Sequence, residues 1–138
     1  MEYTVHISKP ALDYFRSKAR DSALEIHAYL IGEVQYPNKF VIASVEHARQ
    51  YSAQTEEAVV PAGEEWNRVN RKADEEGRRI IGDIHSHPNW DAVMSPADYQ
   101  ACVMDGTEIC GIVSVRGRKT NVRFWHVNSA LPCEIKYV

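Results

Sequence analysis

Basic residues are not in excess in this chain of 138: 16 lysines and arginines face 19 aspartates and glutamates, a net charge of −3, and no basic run exceeds the pairs at Arg78 and Arg118. Duplex nucleic acid needs a concentrated basic face, so nucleic acid is not expected as a partner. Long apolar runs are missing too, none approaching the ~20 residues that span a bilayer. The amino-terminal MEYTVHISKP has no basic segment leading into an apolar one, so a soluble cytoplasmic protein without membrane contact is expected. The three cysteines, Cys102, Cys110 and Cys133, are odd in number and lack C-x-x-C spacing. A disulfide framework and a cysteine-rich zinc knuckle are therefore both unsupported, and the cysteines read as structural residues of a reducing compartment. Two metal-hydrolase signatures are also absent: there is no H-E-x-x-H, and no H-x-E followed by P-C-x-x-C. Residues 88–90, PNW, offer no Asp-His pair after His87, and the roughly 250 residues of a barrel hydrolase are not available.

What is present suffices for one core. With 44% hydrophobic residues, residues 1–138 are expected to form a single domain without disulfide staples. YTVHIS reads as a strand, and SKPALDYFRSKAR as a helix capped by Ser8 with Leu12, Phe15 and Ala19 inward. LEIHAYLIGEV and FVIASVEH read as a hairpin, residues 48–60 as an irregular surface connection, and PAGEEWNRVNRKADEEG as a helix stopped near Gly77. RRIIGDIHSH is a strand, SPADYQACVMD a helix, and EICGIVSV, TNVRFWHV and CEIKYV are strands. The expectation is one α/β domain with a mixed sheet and two or three main helices.

The chemistry gathers in IIGDIHSHPNWDAVMSPADYQ, residues 80–100. Alternate strand residues share a face, which groups Ile81, Asp83, His85 and His87 against Ile80, Gly82 and Ile84. Two imidazoles so placed can converge on one ion, and Asp98 returns in the first turn of the next helix. Two neutral imidazoles and a carboxylate suit zinc with a fourth position open. SPAD also has a purely structural explanation, with Ser95 as N-cap, Pro96 at the first helical position and Asp98 closing a capping box. Both readings stay open on these residues alone.

HSHP, followed by six residues and SPAD, resembles the JAMM (MPN+) metalloprotease motif His-x-His-x10-Asp, with a serine three before the aspartate. EIHAYLIG resembles the family's upstream E-x-x-G-x-L-x-G, with Glu25, Leu30 and Gly32 in place and Ala28 where a glycine is usual. Asp83 stands where many members have an aromatic residue, and the resemblance runs over residues 24–115. It implies an α/β/α architecture, a mixed curved β-sheet flanked by helices, in a minimal domain of prokaryotic type. It further implies one Zn2+ per chain on His85, His87 and Asp98, with Glu25 as general base and acid and Ser95 as hydrogen-bond donor to the oxyanion. The implied reaction is hydrolysis of an amide or isopeptide bond after the carboxyl tail of a ubiquitin-like or sulfur-carrier protein. Hydrolysis of small peptide or amino-acid conjugates and a noncatalytic scaffold of the same fold are the alternatives, and the oligomeric state, a homodimer included, stays open. Asp83 is expected either to orient a ligand histidine or to pair with Arg78 or Arg79. His27 is read as pocket wall, and Trp90, in the loop between the ligands, as the tryptophan that touches substrate.

Overall fold

The computed structural model describes residues 1–138. In chain order the elements are β1 (Tyr3–Ile7), α1 (Lys9–Arg20), β2 (His27–Gln35), β3 (Lys39–His47), β4 (Tyr51–Gln54), β5 (Val59–Pro61), α2 (Gly63–Glu75), β6 (Arg79–Pro88), α3 (Pro96–Asp105), β7 (Ile109–Arg116), β8 (Lys119–His126) and β9 (Leu131–Tyr137). Seven strands form one mixed sheet in the order β1-β3-β2-β6-β7-β8-β9, and parallel pairing of β1 with β9 closes it into a barrel. This is the expected single α/β domain with a curved mixed sheet, curved here to the point of closure.

Closure follows from which face carries the larger apolar load. On one face α1 lays Leu12, Phe15 and Ala19 against Leu30, Phe40, Ile84, Val113 and Phe124, and the sheet curls around this main core. Ser8 caps that helix by accepting from the Ala11 N–H, and the apolar stripe sits at helical spacing. On the opposite face α2 covers Tyr29, Ile31 and Ile80 with Val69 and Ala73, while Cys102 of α3 covers Cys110 and Ile112. The sheet is thus sandwiched between α1 and the α2–α3 pair. No helix is long and apolar enough to cross a membrane.

Two local departures from the expected pattern bear on the site. Leu30 pairs with Gly82 and Ile31 with Ile80, leaving Ile81 as the extra residue of a β-bulge. Ile81 therefore joins Ile84 in the main core, not the face of Asp83 and His85, while Ile80 turns to α2; strict alternation fails because a bulge adds one residue to the count. The connection at 48–60, expected to be irregular, contains a small β4–β5 ribbon, with Gln54 opposite Val59. Local backbone pairing organises a segment whose sequence shows no periodicity.

Strands β6 and β7 run parallel, with α3 as their crossover. His85 and His87 lie at the carboxyl end of β6 and Asp98 in the first turn of α3. In a parallel α/β arrangement that end is where backbone ladders finish and side chains are free to meet a ligand.

Candidate metal centre

Three donors converge at the carboxyl end of β6. His85 Nε2 and His87 Nε2 are 3.1 Å apart. Asp98 places Oδ1 3.1 Å from His85 Nε2 and Oδ2 3.1 Å from His87 Nε2. Asp98 is aimed by the helix start: Ser95 Oγ accepts from the Asp98 N–H at 3.0 Å, and Asp98 Oδ2 accepts from the Ser95 N–H at 2.9 Å. The capping box expected from SPAD is present, and it is the hydroxyl oxygen of Ser95 that caps, leaving its proton free to donate. Gly106, in the left-handed region at φ 69, ends the helix.

Proton bookkeeping shows what these donors lack. His87 Nδ1 lies 2.7 Å from the Asp91 carbonyl oxygen, which only accepts, so this nitrogen carries the ring proton. His87 Nε2 then turns a lone pair toward a carboxylate oxygen and toward His85 Nε2. Lone pairs facing one another at such distances require a cation between them. A proton on His85 is one answer: burial opposes it, but the hydrogen bond and charge of Asp98 prevail and hold His85 up to about 9. Burial likewise opposes ionisation of Asp98, yet the two imidazoles keep its carboxyl well below the usual range. A divalent ion would answer all three donors, because tetrahedral coordination at ~2.0–2.2 Å sets donors roughly 3.3 Å apart. His85, His87 and Asp98 thus fit a zinc-type ion.

Glu25 approaches from the amino-terminal half of the chain. Its carboxylate and the two imidazoles have donor atoms within 4.8 Å of one another, a group that could hold a metal ion. It is 4% exposed, and burial pushes its carboxyl up to about 7 against the pull of His85 and His87. The charges acting on it are His85, His87, Asp98 and Glu57, so no lysine or arginine neutralises it. Glu25 lies two residues ahead of β2, not on the strand as the sequence pattern suggests. Side chains supplement the backbone pairing there: Ser86 Oγ accepts from the Ile26 N–H at 2.9 Å, and Gln54 Nε2 donates to the Glu25 carbonyl at 3.0 Å. The Glu25 N–H donates to the Thr55 carbonyl at 2.8 Å, and the Tyr51 hydroxyl accepts from the His27 N–H. None of these four supports is singled out by sequence. The one available signal is Ser86, a polar residue inside an apolar strand.

All five expected site residues are brought together, since Ser95 lines the same cavity of about 710 Å3 as Glu25, His87, Glu57 and Trp90. The Trp90 ring centre stands 4.5 Å from that of His87, and Ser114 donates to the Trp90 carbonyl, holding that loop on β7. A second groove of about 320 Å3, lined by His85 and Asp98, also takes in His27, Asp83, Trp66 and Asp105. Asp83 does not pair with Arg78 or Arg79, which go to Glu76 and Glu108. Its partner is His27, 3.2 Å away, because the bulge sets Asp83 on the groove side of β6, away from the strand's basic start.

The model for prokaryotic homologs of the JAB domain matches residues 8–128. The chain belongs to this family. Membership of the JAB family is compatible with a hydrolase and with a scaffold of the same fold. Among solved structures, this JAB domain is similar to a protein from Desulfitobacterium hafniense, with a TM-score of 0.79 and 17% identity over 97% of this chain and 92% of that one. It is also similar to a protein from Salinibacter ruber, with a TM-score of 0.61 and 20% identity over 100% of this chain and 90% of that one. At such identities the likeness speaks for the fold. No curated protein matches the chain.

Proposed function

We propose that this JAB domain is a zinc-dependent hydrolase of amide or isopeptide bonds, with His85, His87 and Asp98 as ligands and Glu25 as general base and acid. The observation that carries the reading is Glu25 itself, a buried carboxylate without a lysine or arginine partner, raised to about 7 by burial beside the imidazole pair. A scaffold has no use for so costly a group, whereas a general base works best when its pKa lies near the working pH. Zinc, when bound, would activate a water and polarise the scissile carbonyl. Glu25 takes the proton from the attacking water and returns it to the leaving nitrogen. The Ser95 hydroxyl, whose oxygen is engaged at the cap, donates a hydrogen bond to the carbonyl oxygen as charge develops there.

The substrate we propose is the carboxyl tail of a ubiquitin-like or sulfur-carrier protein. Two separate grooves reach the donor set, one lined by His85 and Asp98 and the other by Glu25 and His87, which suits a chain extended beyond the scissile bond better than a small conjugate. The decisive experiment compares wild type with Glu25→Gln on fusions ending in such a tail, with and without chelator. Glu25→Gln is expected to keep its zinc and lose ~100-fold or more in cleavage rate. Full activity in that variant, or wild-type cleavage indifferent to chelator, would sink the reading.

A further inference from the structure

A second set of donors lies one step along the same seam. Asp83 is two residues before His85 on β6, and Cys102 is four residues after Asp98 on α3. One strand repeat and one helical turn each advance the chain by about 6 Å, so strand and helix meet again at matching height. Cys110 completes the set from β7, directly opposite Asp83 in the ladder. Donor atoms of Asp83, Cys102 and Cys110 lie within 4.8 Å of one another. Both thiols are buried and free.

We propose that Asp83, Cys102 and Cys110 form a second, thiophilic metal site for a divalent ion of the zinc or cadmium type, distinct from the histidine centre and independent of the hydrolase reading. Asp83 carries the strongest pointer. Its Oδ2 is held by His27, which fixes the carboxylate, while its Oδ1 is buried with no hydrogen-bond partner. A buried, unpartnered carboxylate oxygen is costly, and a cation among these donors removes the cost. No lysine or arginine serves instead, the charges around Asp83 being His27, His85 and Asp98. Two sulfurs and one oxygen make a soft, three-donor set, unlike the nitrogen-rich centre beside it, and Asp83 also lines the groove through which an ion can enter. Binding exchanges two thiol protons for one divalent ion, leaving two thiolates and the carboxylate as ligands. The rival use of the pair, as a redox couple, is disfavoured: the neighbouring Cys102 sulfur, burial and the Asp83 charge all hold the Cys110 thiol protonated, and a protonated buried thiol is a poor nucleophile.

The test titrates cadmium into chelator-treated, reduced protein and follows the thiolate-to-metal absorption band, to which the histidine centre is silent. The band is expected in wild type, saturating at about one equivalent with about two protons released per ion. His85→Ala/His87→Ala and Cys133→Ser should keep it, and Cys102→Ser and Cys110→Ser should each lose it. Absence of the band in wild type overturns the proposal, as does a band that survives both Cys102→Ser and Cys110→Ser. If either serine variant fails to fold, sulfur neighbours of the ion in wild-type protein, counted by X-ray absorption, decide: about two support the site and none refutes it.

Discussion

Glu25 and His85 owe their chemistry to burial and to each other's company, and both leave a signature in stability. Glu25 is raised from 4.5 to about 7, so in metal-free protein its stabilising protonation is complete at low pH and is lost as pH rises through 7. His85 is raised from 6.5 to about 9, so its contribution is complete below 6.5 and is lost as pH rises through 9. The two have the same sign, each amounting to at most about 3 kcal/mol. Chelated protein should therefore show a melting temperature that falls from about pH 5 to pH 9, and a bound divalent ion, which takes the place of the protons, should flatten the slope. Calorimetry with and without chelator checks this, and a metal-free melting temperature that climbs over that range would contradict it. Glu25→Gln should remove the lower part of the decline and leave the upper part.

At the scale of single elements, α3 and β6 position the donors, and each can be perturbed alone. Ser95→Ala should cost about 1 kcal/mol from the lost cap, with a ~100-fold fall in cleavage if its hydroxyl also serves the oxyanion. Ser95→Asp restores the cap without a hydroxyl donor, so recovery of stability by urea unfolding, measured beside the cleavage rate, separates the two roles. If Ser95→Ala cleaves at the wild-type rate, the hydroxyl has no part in the reaction. Strand β6 depends on close approach at Gly82, where a Cβ would overlap the Ile109 carbonyl oxygen of β7. Gly82→Ala should destabilise by about 1–3 kcal/mol or prevent folding, and should weaken metal affinity by shifting His85 three residues on. Unchanged zinc affinity in a folded Gly82→Ala protein would show that the β6–β7 spacing does not set the site.

Across the whole molecule the site depends on connections remote from it. Glu65 of α2 is buried and accepts from the Arg49 and Gln50 N–H groups and from Arg68. The Arg68 hydrogen bond is the chief reason its carboxyl is held down at about 2. This anchor fixes the exit of β3, from which the chain runs on to Gln54 and Thr55 behind Glu25. Glu65→Ala should cost about 2–4 kcal/mol by taking one of the two carboxylate partners from Arg68, which keeps Glu46, and the acceptor from two backbone donors. It should also speed amide exchange over residues 50–58, and exchange rates there equal to wild type would show that the ribbon stands without the anchor. At this scale the division between sequence and structure is plain. The sequence by itself determined α1 and α3 through the caps at Ser8 and Ser95 and the histidine strand through its period, and it marked His85, His87 and Asp98 as candidate donors, because these patterns are local and their physics repeats every two residues or every turn. Only the tertiary structure decided that Ile81 leaves the histidine face at a bulge, that Asp83 turns to His27 and the thiols instead of to an arginine, and that Glu25 stands off its strand, held by Ser86, Gln54 and Thr55. Those outcomes depend on contacts between segments distant in the chain, whose geometry no local period encodes.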